Sequence, residues 1–496
     1  MQNSPMYESA ALTLAAEDCA PSRFSEMHKF LAFERKLIQN LIAHGPVLLR
    51  GGRGSGKSAL LLEADRQMTQ KSPQILSVYI SLRHLPLLRS EGRLYERIFC
   101  EILISTLREK LKKLGLQDVE LRRPADAGEL RQLLTNVATL TNRRIVLMFD
   151  DAAHIGRESS LTEFFDIFRT ISSSVVSCKA AIYPGVTRFG VRFDVFNDAT
   201  VLDIARDERA PEFGEFFHSV LSARSPGLAR KISGGRSGLT VHRASELLGR
   251  AVVGNMRAFV FACSWLSDRE KAGLPEFRDI LLRLASDYYM PLLDEVAPKL
   301  GPYEVLIPEC RNIAEKIFAQ VATGESTTAT IHRDIVQKLG KLFEILEYIG
   351  LISKREASRA MKSGGRGPRY SLNLATLLEA KPQAQLTFKQ IDAWLGKNPV
   401  EPAEFHITGN LAATSLPAID QSVDLAILDL PIESLKQGRT YPYGLTERQA
   451  DILKGGGFST IKDVAEADDE ELRSIPGIGK KILARIRGVT GQAIWM

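Results

Sequence analysis

One eight-residue stretch carries the clearest chemistry in this chain of 496 residues. It follows a short apolar run, 46–49, and leads into the helix-forming segment 59–64. It fits the pattern G-x-x-x-x-G-K-[ST], and its residues are Gly51, Gly52, Arg53, Gly54, Ser55, Gly56, Lys57 and Ser58. A strand, such a loop and a helix, in that order, predict backbone N–H groups that surround a phosphate at a helix N-terminus. The alternative is a glycine-rich turn that fits the pattern by chance.

The residue types of this loop suit a nucleoside triphosphate and its metal ion. The glycines let successive N–H groups converge on one anion, and Ala59 continues the loop into the helix. Lys57 is predicted to reach the β- and γ-phosphates, and the Ser58 hydroxyl to take one Mg²⁺ position. The sequence therefore predicts that this protein binds ATP with Mg²⁺.

A second motif places two carboxylates at the end of an apolar run. Residues 145–149 are unbroken apolar, as in a parallel strand that is buried on both faces, and Asp150 and Asp151 follow. Open α/β sheets bind ligands beyond the carboxyl ends of their strands, so we expect this pair beside the phosphate loop. Asp150 would hold the Mg²⁺ through water, and Asp151 would polarise the attacking water. The alternative is a polar turn at the end of the strand.

The composition bounds the class of protein. Hydrophobic residues make up 44% and charged residues 25%, which is ordinary for globular chains, and the length predicts about three domains. The net charge of +6 permits nucleic-acid binding. The five cysteines are widely spaced and form no C-x-x-C pair, which argues against disulfides or a zinc site. We see no signal peptide and no run of about 18 apolar residues, so we expect a cytoplasmic protein without a membrane span.

Helices and strands alternate around the two motifs. Apolar residues at helical spacing predict a helix over 24–44, and apolar runs predict strands over 75–82 and 175–183. Further helices are predicted over 93–114, 127–141 and 161–171, and a last strand over 201–204. This order predicts a parallel α/β sheet with helices on both faces.

Polar residues beyond the strand at 175–183 are candidates for sensing a nucleotide. Thr187 could sense the γ-phosphate, and Arg188 and Arg192 could reach the nucleotide of a neighbouring subunit as arginine fingers do. The alternative for both arginines is a solvated surface position.

The order of motifs resembles the AAA+ ATPase core. A helical stretch over 211–266 includes Gly254-Asn255-Met256-Arg257 at a helix start, after the loop, the Asp-Asp strand and the polar strand. The resemblance covers 25–266 and is closest to the origin-recognition and helicase-loader branch or the STAND switch ATPases. It implies that Arg257 contacts the γ-phosphate, and that nucleotide lies between subunits of a homo- or hetero-oligomer. Most related ATPases have Glu where this chain has Asp151, so we expect slow hydrolysis.

The segment 326–380 resembles a winged-helix domain, which follows the core in origin-recognition ATPases. An amphipathic helix over 331–349 precedes a basic loop over 354–370, and an alternating strand follows the loop. We predict that Lys354, Arg355 and Arg366 contact the DNA backbone. A disordered basic loop is the alternative.

The last 50 residues resemble a tandem helix–hairpin–helix, as in DNA repair proteins and in the C-terminal domain of the RNA polymerase alpha chain. The segment 475–483 contains P-G-I-G-K-K, in which Gly477 and Gly479 let the hairpin backbone approach a phosphate. The predicted cationic contacts are Lys480, Lys481, Arg485 and Arg487. Backbone contacts of this kind predict DNA binding without sequence preference. The alternative is that this domain docks a protein partner.

Together these patterns predict seven segments. They are an N-terminal extension (1–23), the AAA+ core (24–210), a helical lid (211–267), a helical connector (268–325), a winged-helix domain (326–380), a linker or irregular stretch (381–440) and a helix–hairpin–helix domain (441–496). We expect a DNA-engaging ATPase that also recruits a protein partner. The rival interpretation is a STAND-like ATP-dependent switch whose C-terminal domain recruits an effector protein.

Overall fold

The computed structural model describes most of the chain. The described residues are 16–17, 19–153, 156–157, 159–186, 189–190, 192–234, 238–396, 400–438, 441 and 444–495. Two predicted candidates, Thr187 and Arg188, lie outside them.

A parallel sheet forms the centre of the predicted core, residues 24–210. Its strands are β1 (Val47–Arg50), β2 (Ile75–Ser81), β3 (Arg144–Asp150), β4 (Val176–Ile182) and β5 (Thr200–Asp203). They lie in the order β2-β3-β4-β1-β5, and all neighbouring pairs are parallel. Because parallel strands share the edge at which they end, the loop after β1 and Asp150 of β3 lie at the same edge. The prediction of a parallel α/β sheet is confirmed.

Helices cover both faces of this sheet. They are α1 (Pro21–Met27), α2 (Ala32–Ile42), α3 (Lys57–Lys71), α4 (Leu85–Leu88), α5 (Gly92–Lys113), α6 (Ala127–Thr141), α7 (Ser159–Ile171) and α8 (Val195–Asp198). Side chains alternate along a strand, so Leu48 and Leu147 face α5, α6 and α7, whereas Leu49 and Met148 face α2 and α3. The four leucine and methionine side chains are fully buried.

One predicted helix is divided in two. The sequence pattern predicts a single helix over 24–44, but α1 ends at Met27 and α2 begins at Ala32. His28 has extended backbone angles, and the carboxylate of Glu34 accepts a hydrogen bond from the N–H of Leu31, which starts the second helix. The apolar pattern continues across the break, so spacing alone does not reveal it.

Helices follow the core as predicted for the lid and the connector. The lid consists of α9 (Glu212–Arg224), α10 (Pro226–Ser233), α11 (Val241–Ala251) and α12 (Met256–Ser267). The connector consists of α13 (Leu274–Leu284), a π-helical turn (Ala285–Tyr289), α14 (Met290–Val296), two 3₁₀ turns (Ala297–Lys299 and Gly301–Leu306) and α15 (Ile307–Ala322). No helix in the described ranges has both the length and the apolar character that a membrane crossing requires.

A second, smaller sheet follows α15. Its strands are β6 (Thr328–Ile331), β7 (Ile352–Ala360), β8 (Arg366–Leu372) and β9 (Ala403–Phe405), in the order β7-β8-β6-β9. Its helices are α16 (Arg333–Lys338), α17 (Gly340–Ile349), α18 (Leu374–Ala380) and α19 (Phe388–Leu395). The order β6, α16, α17 and the β7–β8 hairpin is what a winged-helix domain requires, and that assignment remains a prediction.

The stretch 381–440 is more ordered than the linker that its prolines predict. It contains α19, and β9 pairs in parallel with β6, so that Phe405 lies opposite Ile331. Ile391, Trp394 and Phe405 are buried. Their burial in the main apolar core corrects the linker prediction. Two 3₁₀ turns, Ala426–Asp429 and Ile432–Leu435, lead to the last domain.

The last domain consists of short helices that pack on one another and on the core. They are α20 (Glu447–Gly455), α21 (Ile461–Glu466), α22 (Asp469–Ser474) and α23 (Lys480–Trp495). Leu85 and Leu88 of α4 belong to the same apolar cluster as Leu453 and Ile486 of this domain. Arg89 forms ion pairs with Glu466 and Asp424. The last domain is therefore seated beside the end of β2.

Candidate nucleotide site and DNA-binding surface

The phosphate loop has the backbone conformation that its glycines permit. Gly54 and Gly56 have φ angles of 74° and 99°, in the left-handed region that favours glycine. A Cβ atom on Gly54 would also lie 2.4 Å from Oδ1 of Asn255. Helix α3 begins at Lys57, directly after the loop, so the N–H groups of its first turn face the loop. Gly51, Gly52, Ser55, Ser58 and Ala59 complete the predicted binding set around this helix start.

Lys57 is buried inside the loop. Its Nζ donates hydrogen bonds to the carbonyl oxygens of Gly51 and Gly52, at 2.7 and 3.0 Å. The ammonium group also lies 4.0 Å from the centre of the Tyr183 ring. Burial lowers the pKa of Lys57 to about 8, although Asp150 and Asp151 act in the opposite direction. The loop carbonyls are neutral acceptors, so a bound phosphate would give this cation an anionic partner.

Asp150 ends β3 at the sheet edge that carries the loop, and it is fully buried. One carboxylate oxygen accepts a hydrogen bond from the Tyr79 hydroxyl at 2.6 Å, and the other accepts one from the N–H of Asp151 at 3.0 Å. Tyr79 comes from β2, the neighbouring strand, where Tyr79 lies opposite Met148. These two donors fix the orientation that the carboxylate presents to a metal ion. Tyr79 was not predicted, because an aromatic residue in a strand is ordinarily a core residue.

Asp151 has an unusual backbone and a cationic partner. Its φ of 53° is rare for a residue other than glycine, and its carboxylate lies 2.6 Å from Nε of Arg83. Burial, and then the charge of Asp150, raise the pKa of Asp151 to about 7, whereas Arg83 opposes the rise. Nη2 of Arg83 lies 2.9 Å from Glu17. Arg83 therefore holds the carboxylate that was predicted to polarise water.

Three carboxylates converge at this point. One carboxylate oxygen from each of Glu17, Asp150 and Asp151 lies within 4.8 Å of the others. Oxygen ligands of this type are the ones that Mg²⁺ prefers. Ser58 lines one cavity together with Glu17 and Asp151. The residues present therefore fit Mg²⁺, with Ser58 and Asp150 as the predicted holders. Neither Glu17 nor Arg83 was predicted, because a lone charged residue far along the chain carries no motif.

The lid contacts the phosphate loop directly. The N–H of Met256 donates to the carbonyl oxygen of Gly54 at 2.9 Å, and the Asn255 side chain accepts hydrogen bonds from the N–H groups of Arg257 and Ala258. Arg257 lines the same cavity as Lys57. Burial, and then the nearby charge of Arg53, lower the pKa of Arg257 below its ordinary value. The Gly-Asn-x-Arg segment thus lies against the phosphate loop, and the Arg257 contact with a γ-phosphate remains a prediction.

The cavity is lined by both cationic and apolar side chains. Its lining includes seven lysine or arginine residues but only three acidic ones, which suits a polyanion. The cations are Lys29, Arg53, Lys57, Arg83, Arg206, Arg224 and Arg257. Met27 and Phe30, at the junction of α1 and α2, line the cavity together with Val220 and Val260 of the lid. Phosphates and a flat base are groups that such a mixed lining accommodates.

Helix α17 packs on the outer side of the phosphate loop. The N–H of Arg53 donates to the carbonyl oxygen of Tyr348 at 2.9 Å, and the Arg53 side chain lies 2.8 Å from Glu295 of α14. The rings of Tyr183 and Tyr348 meet edge to face, with their centres 4.8 Å apart. Arg53 was predicted to bind the nucleotide. Its N–H is directed to Tyr348, whereas its side chain lines the cavity, so its part in binding remains a prediction.

The predicted DNA contacts of the β7–β8 hairpin differ in exposure. Lys354 and Arg366 are exposed, and Arg366 also donates a hydrogen bond to the Ser358 hydroxyl at 2.9 Å. Arg355 is only 3% exposed and forms an ion pair with Glu208 at 2.7 Å. A phosphate could reach Arg355 only if this ion pair broke, so the prediction for Arg355 is corrected.

The second helical hairpin of the last domain has the predicted shape. Gly477 has a φ of 99°, which a residue other than glycine rarely adopts, and α23 begins at Lys480 after Gly479. Lys480 and Lys481 are exposed. Arg485 is exposed as well and donates to the carbonyl oxygen of Gly444.

Arg487 differs from its neighbours. It donates to the carbonyl oxygens of Val464 and Ala467, at 2.8 and 2.6 Å, and lies 2.9 Å from Asp469. Arg487 therefore holds the domain together, which corrects its predicted role in DNA contact.

Comparison with known families supports the C-terminal assignment. The family model described as a SAM-like helix-hairpin-helix tandem matches residues 444–487. None of the curated proteins matches this chain in sequence.

Several solved structures are similar to this chain. The Aeropyrum pernix ORC1 protein in complex with DNA is 14% identical, with 75% of this chain and 94% of that chain covered and a TM-score of 0.31. Cdc6p from Pyrobaculum aerophilum is 12% identical, with 76% and 99% covered and a TM-score of 0.34. A STAND protein with a tetratricopeptide repeat sensor from Pyrococcus horikoshii is 12% identical, with 72% and 44% covered and a TM-score of 0.27.

These structures belong to the two groups that the motif order resembles. At such low identities and TM-scores, the similarity supports no statement about the function of this chain. The fold and the site themselves define an α/β protein with a phosphate loop, helices on both sheet faces and a C-terminal tandem helix–hairpin–helix domain.

Proposed function

We propose that this chain is an AAA+ ATPase that engages DNA through its C-terminal winged-helix and helix–hairpin–helix modules, with its ATP state controlling assembly, loading or partner recruitment on DNA. One observation carries the proposal. The cavity at the carboxyl edge of the parallel sheet brings together Lys57, Ser58, Asp151 and Arg257, and a carboxylate oxygen of Asp150 lies within 4.8 Å of one from Asp151. These residues come from three separate elements, and they are the types that phosphoryl transfer from ATP requires.

Each residue has a distinct task in this proposal. The N–H groups at the start of α3 and the Lys57 ammonium bind the phosphates, and Arg257 binds the γ-phosphate from the lid. Ser58 and Asp150 would hold Mg²⁺, which neutralises charge on the phosphates when it is bound. Asp151 orients the attacking water. Its carboxylate is one methylene shorter than Glu and is paired with Arg83, so turnover is expected to be slow.

The helix–hairpin–helix domain supplies one contact with DNA. Its hairpin at Gly477–Gly479 leads into the start of α23, where free N–H groups and the exposed Lys480 and Lys481 suit a backbone phosphate. Such contacts do not read base sequence. We therefore expect binding to duplexes of unrelated sequence, with a strong dependence on salt.

Helix α23 of the C-terminal domain lies close to a residue of the proposed nucleotide site. Gly491 of α23 lies beside Arg83, where an added Cβ atom would be 3.9 Å from Cδ of that arginine. Arg83 in turn holds Asp151. A shift of the C-terminal domain on DNA would therefore reach the Asp151 carboxylate through a single side chain. This contact supports a DNA-dependent ATPase activity.

The test is ATP turnover by the wild type and by Lys57→Ala, each with and without duplex DNA. Lys71→Ala is the matched control, because Lys71 is an exposed lysine in the last turn of the same helix. We expect DNA to raise a turnover that Lys57→Ala abolishes and that Lys71→Ala leaves unchanged. Turnover that survives in Lys57→Ala would refute the assignment of the site.

A second candidate is a STAND-like switch that binds ATP and recruits an effector protein. The packing of α17 on the phosphate loop favours it, because a domain seated on the loop can respond to the nucleotide directly. Under this candidate ATP binds, turnover stays negligible and DNA changes nothing. The same four measurements therefore separate the two candidates.

A further inference from the structure

The tip of the β7–β8 hairpin forms a small anion-binding cradle. We call residues 361–365 the wing tip. The N–H of Lys362 donates to one oxygen of the Glu404 carboxylate at 2.7 Å. The N–H and the hydroxyl of Ser363 donate to its other oxygen, at 2.9 and 2.7 Å. Three donors from two consecutive residues thus hold one carboxylate.

The turn geometry preforms this cradle. The N–H of Met361 donates to the carbonyl oxygen of Gly365 at 3.1 Å, and the N–H of Gly364 donates back to Met361 at 3.2 Å. Gly364 and Gly365 have φ angles of 95° and 82°, which tighten the turn and leave the N–H groups of Lys362 and Ser363 pointing the same way. The cradle therefore belongs to the hairpin itself and does not depend on Glu404 for its shape.

Two acidic residues from another segment cover the wing tip. Glu404 belongs to β9, whose backbone is fixed by pairing with β6 and by a hydrogen bond from Gln320 to its carbonyl oxygen. Glu401 lies 3.6 Å from both Arg359 and Lys362. Burial raises the pKa of Glu404, but the hydrogen bonds from Ser363 and Lys362 outweigh this effect and lower the pKa below its ordinary value. Glu404 is therefore a charged acceptor in an exposed cationic site.

A phosphodiester can accept the same hydrogen bonds as this carboxylate. It is an anion with two terminal oxygens, and it accepts hydrogen bonds from backbone N–H groups and hydroxyls. The side chain of Lys362 is 76% exposed beside the cradle, and Arg366 is exposed one residue after the wing tip. These cations would be available to the phosphates on either side.

We propose that the wing tip is a binding site for a DNA backbone phosphate, and that Glu404 occupies it as an internal mimic until DNA displaces it. This inference rests on the proposed DNA-binding function and adds to it a phosphate site at the wing tip that Glu404 masks in the absence of DNA. Only a side chain must move, because β9 itself stays paired with β6.

The experiment measures duplex affinity against salt concentration for the wild type and for Glu404→Gln. The amide side chain removes the charge that competes with phosphate. The matched control is Glu120→Gln, which removes one negative charge from a side chain that is 79% exposed and remote from the wing tip. Thermal melting of each variant establishes that it is folded.

We expect Glu404→Gln to bind duplex at low salt about fivefold more tightly than Glu120→Gln, with a logarithmic salt slope steeper by about 0.9, as for one added phosphate contact. Adding Lys362→Glu to Glu404→Gln should cancel the gain. In a Lys480→Glu/Lys481→Glu background, Glu404→Gln should restore measurable binding.

Equal affinities and slopes for Glu404→Gln and Glu120→Gln would overturn the inference. If binding then still depends on Lys480 and Lys481, the proposed function stands without the wing tip. If neither the wild type nor any variant binds duplex, both the inference and the DNA-binding function fail.

Discussion

The N–H of Arg53 donates to the carbonyl oxygen of Tyr348 across 2.9 Å, and this hydrogen bond joins the phosphate loop to the last turn of α17. The carboxyl end of a helix carries partial negative charge. The loop beside it is shaped to receive a polyanion. A bound triphosphate and the end of α17 therefore repel each other, so nucleotide binding should weaken the docking of this helix.

The first prediction concerns Gly52. A Cβ atom on Gly52 would lie 3.0 Å from the carbonyl oxygen of Glu347 and 3.3 Å from that of Tyr348. Gly52→Ala should therefore push the end of α17 away from the loop and weaken docking by about 1–2 kcal/mol, as overpacking does. The measurement is amide hydrogen exchange at 348–351, which should become faster. Gly340→Ala is the control, because a Cβ atom at Gly340, in the same helix, meets no atom within 4 Å.

The second prediction concerns Arg83, which neutralises a cluster of carboxylates. Arg83→Ala leaves Glu17 and Asp151 without this cation, so we expect the free energy of unfolding to fall by about 3 kcal/mol. Millimolar Mg²⁺ should recover part of the loss, because the freed oxygens become available to a metal ion. The measurement is the melting temperature with and without Mg²⁺.

Arg50→Ala is the comparison for Arg83→Ala. Arg50 pairs with Asp203 at the same edge of the sheet, but the two side chains are 39% and 51% exposed. Its removal should cost less than about 1 kcal/mol, with no recovery by Mg²⁺. Equal losses for the two variants, or no response of Arg83→Ala to Mg²⁺, would contradict the role given to Arg83.

The sequence predicts the parts of the site that lie in continuous motifs. Gly54, Gly56 and Lys57 form a loop because their spacing is tied to one backbone shape. Asp150 follows an apolar strand, and sheet topology then determines where it lies. The motif, the strand and their common edge could therefore be inferred from the order of residues alone.

The partners of these residues could not be inferred in this way. Arg83, Tyr79 and Glu17 lie far in sequence from Asp151 and Asp150, and only the folded chain brings them together. The charge of Arg355 likewise suggests a DNA contact, but its ion pair with Glu208 bridges 147 positions of the chain. Charge patterns report what a segment contains and not which side chains are neutralised within the fold.

The third prediction concerns Lys179, a fully buried lysine in β4. Its Nζ donates to the carbonyl oxygens of Ala43 and Gly45, just before β1. Burial lowers its pKa to about 8 from 10.5. Between these values the unfolded chain binds a proton that the folded chain does not. The free energy of unfolding therefore rises with pH over this range, by roughly 3 kcal/mol at about 1.4 kcal/mol per pH unit.

Lys179→Met isolates this effect from the other titrating groups. The variant loses the hydrogen bonds to Ala43 and Gly45 at every pH, but it has no amine to titrate at this position. The melting temperature of the wild type relative to Lys179→Met should therefore increase from pH 8 to pH 10. If the melting temperatures of the wild type and Lys179→Met instead change in parallel across this pH range, the lysine is not held uncharged above its lowered pKa.

The fourth prediction separates binding from folding in the last domain. Lys480 and Lys481 are exposed at the start of α23, so Lys480→Glu/Lys481→Glu should lower duplex affinity and reduce the logarithmic salt slope by about 1.8, at about 0.9 per contact. Its melting temperature should stay unchanged.

Arg487→Ala should instead lower stability and leave DNA binding unchanged, because Arg487 donates hydrogen bonds to the carbonyl oxygens of Val464 and Ala467. We expect the Arg487→Ala domain to melt at lower temperature while the folded protein keeps the wild-type salt slope. The measurements are duplex affinity against salt concentration and the melting temperature of each variant. A wild-type salt slope in Lys480→Glu/Lys481→Glu would contradict the DNA assignment.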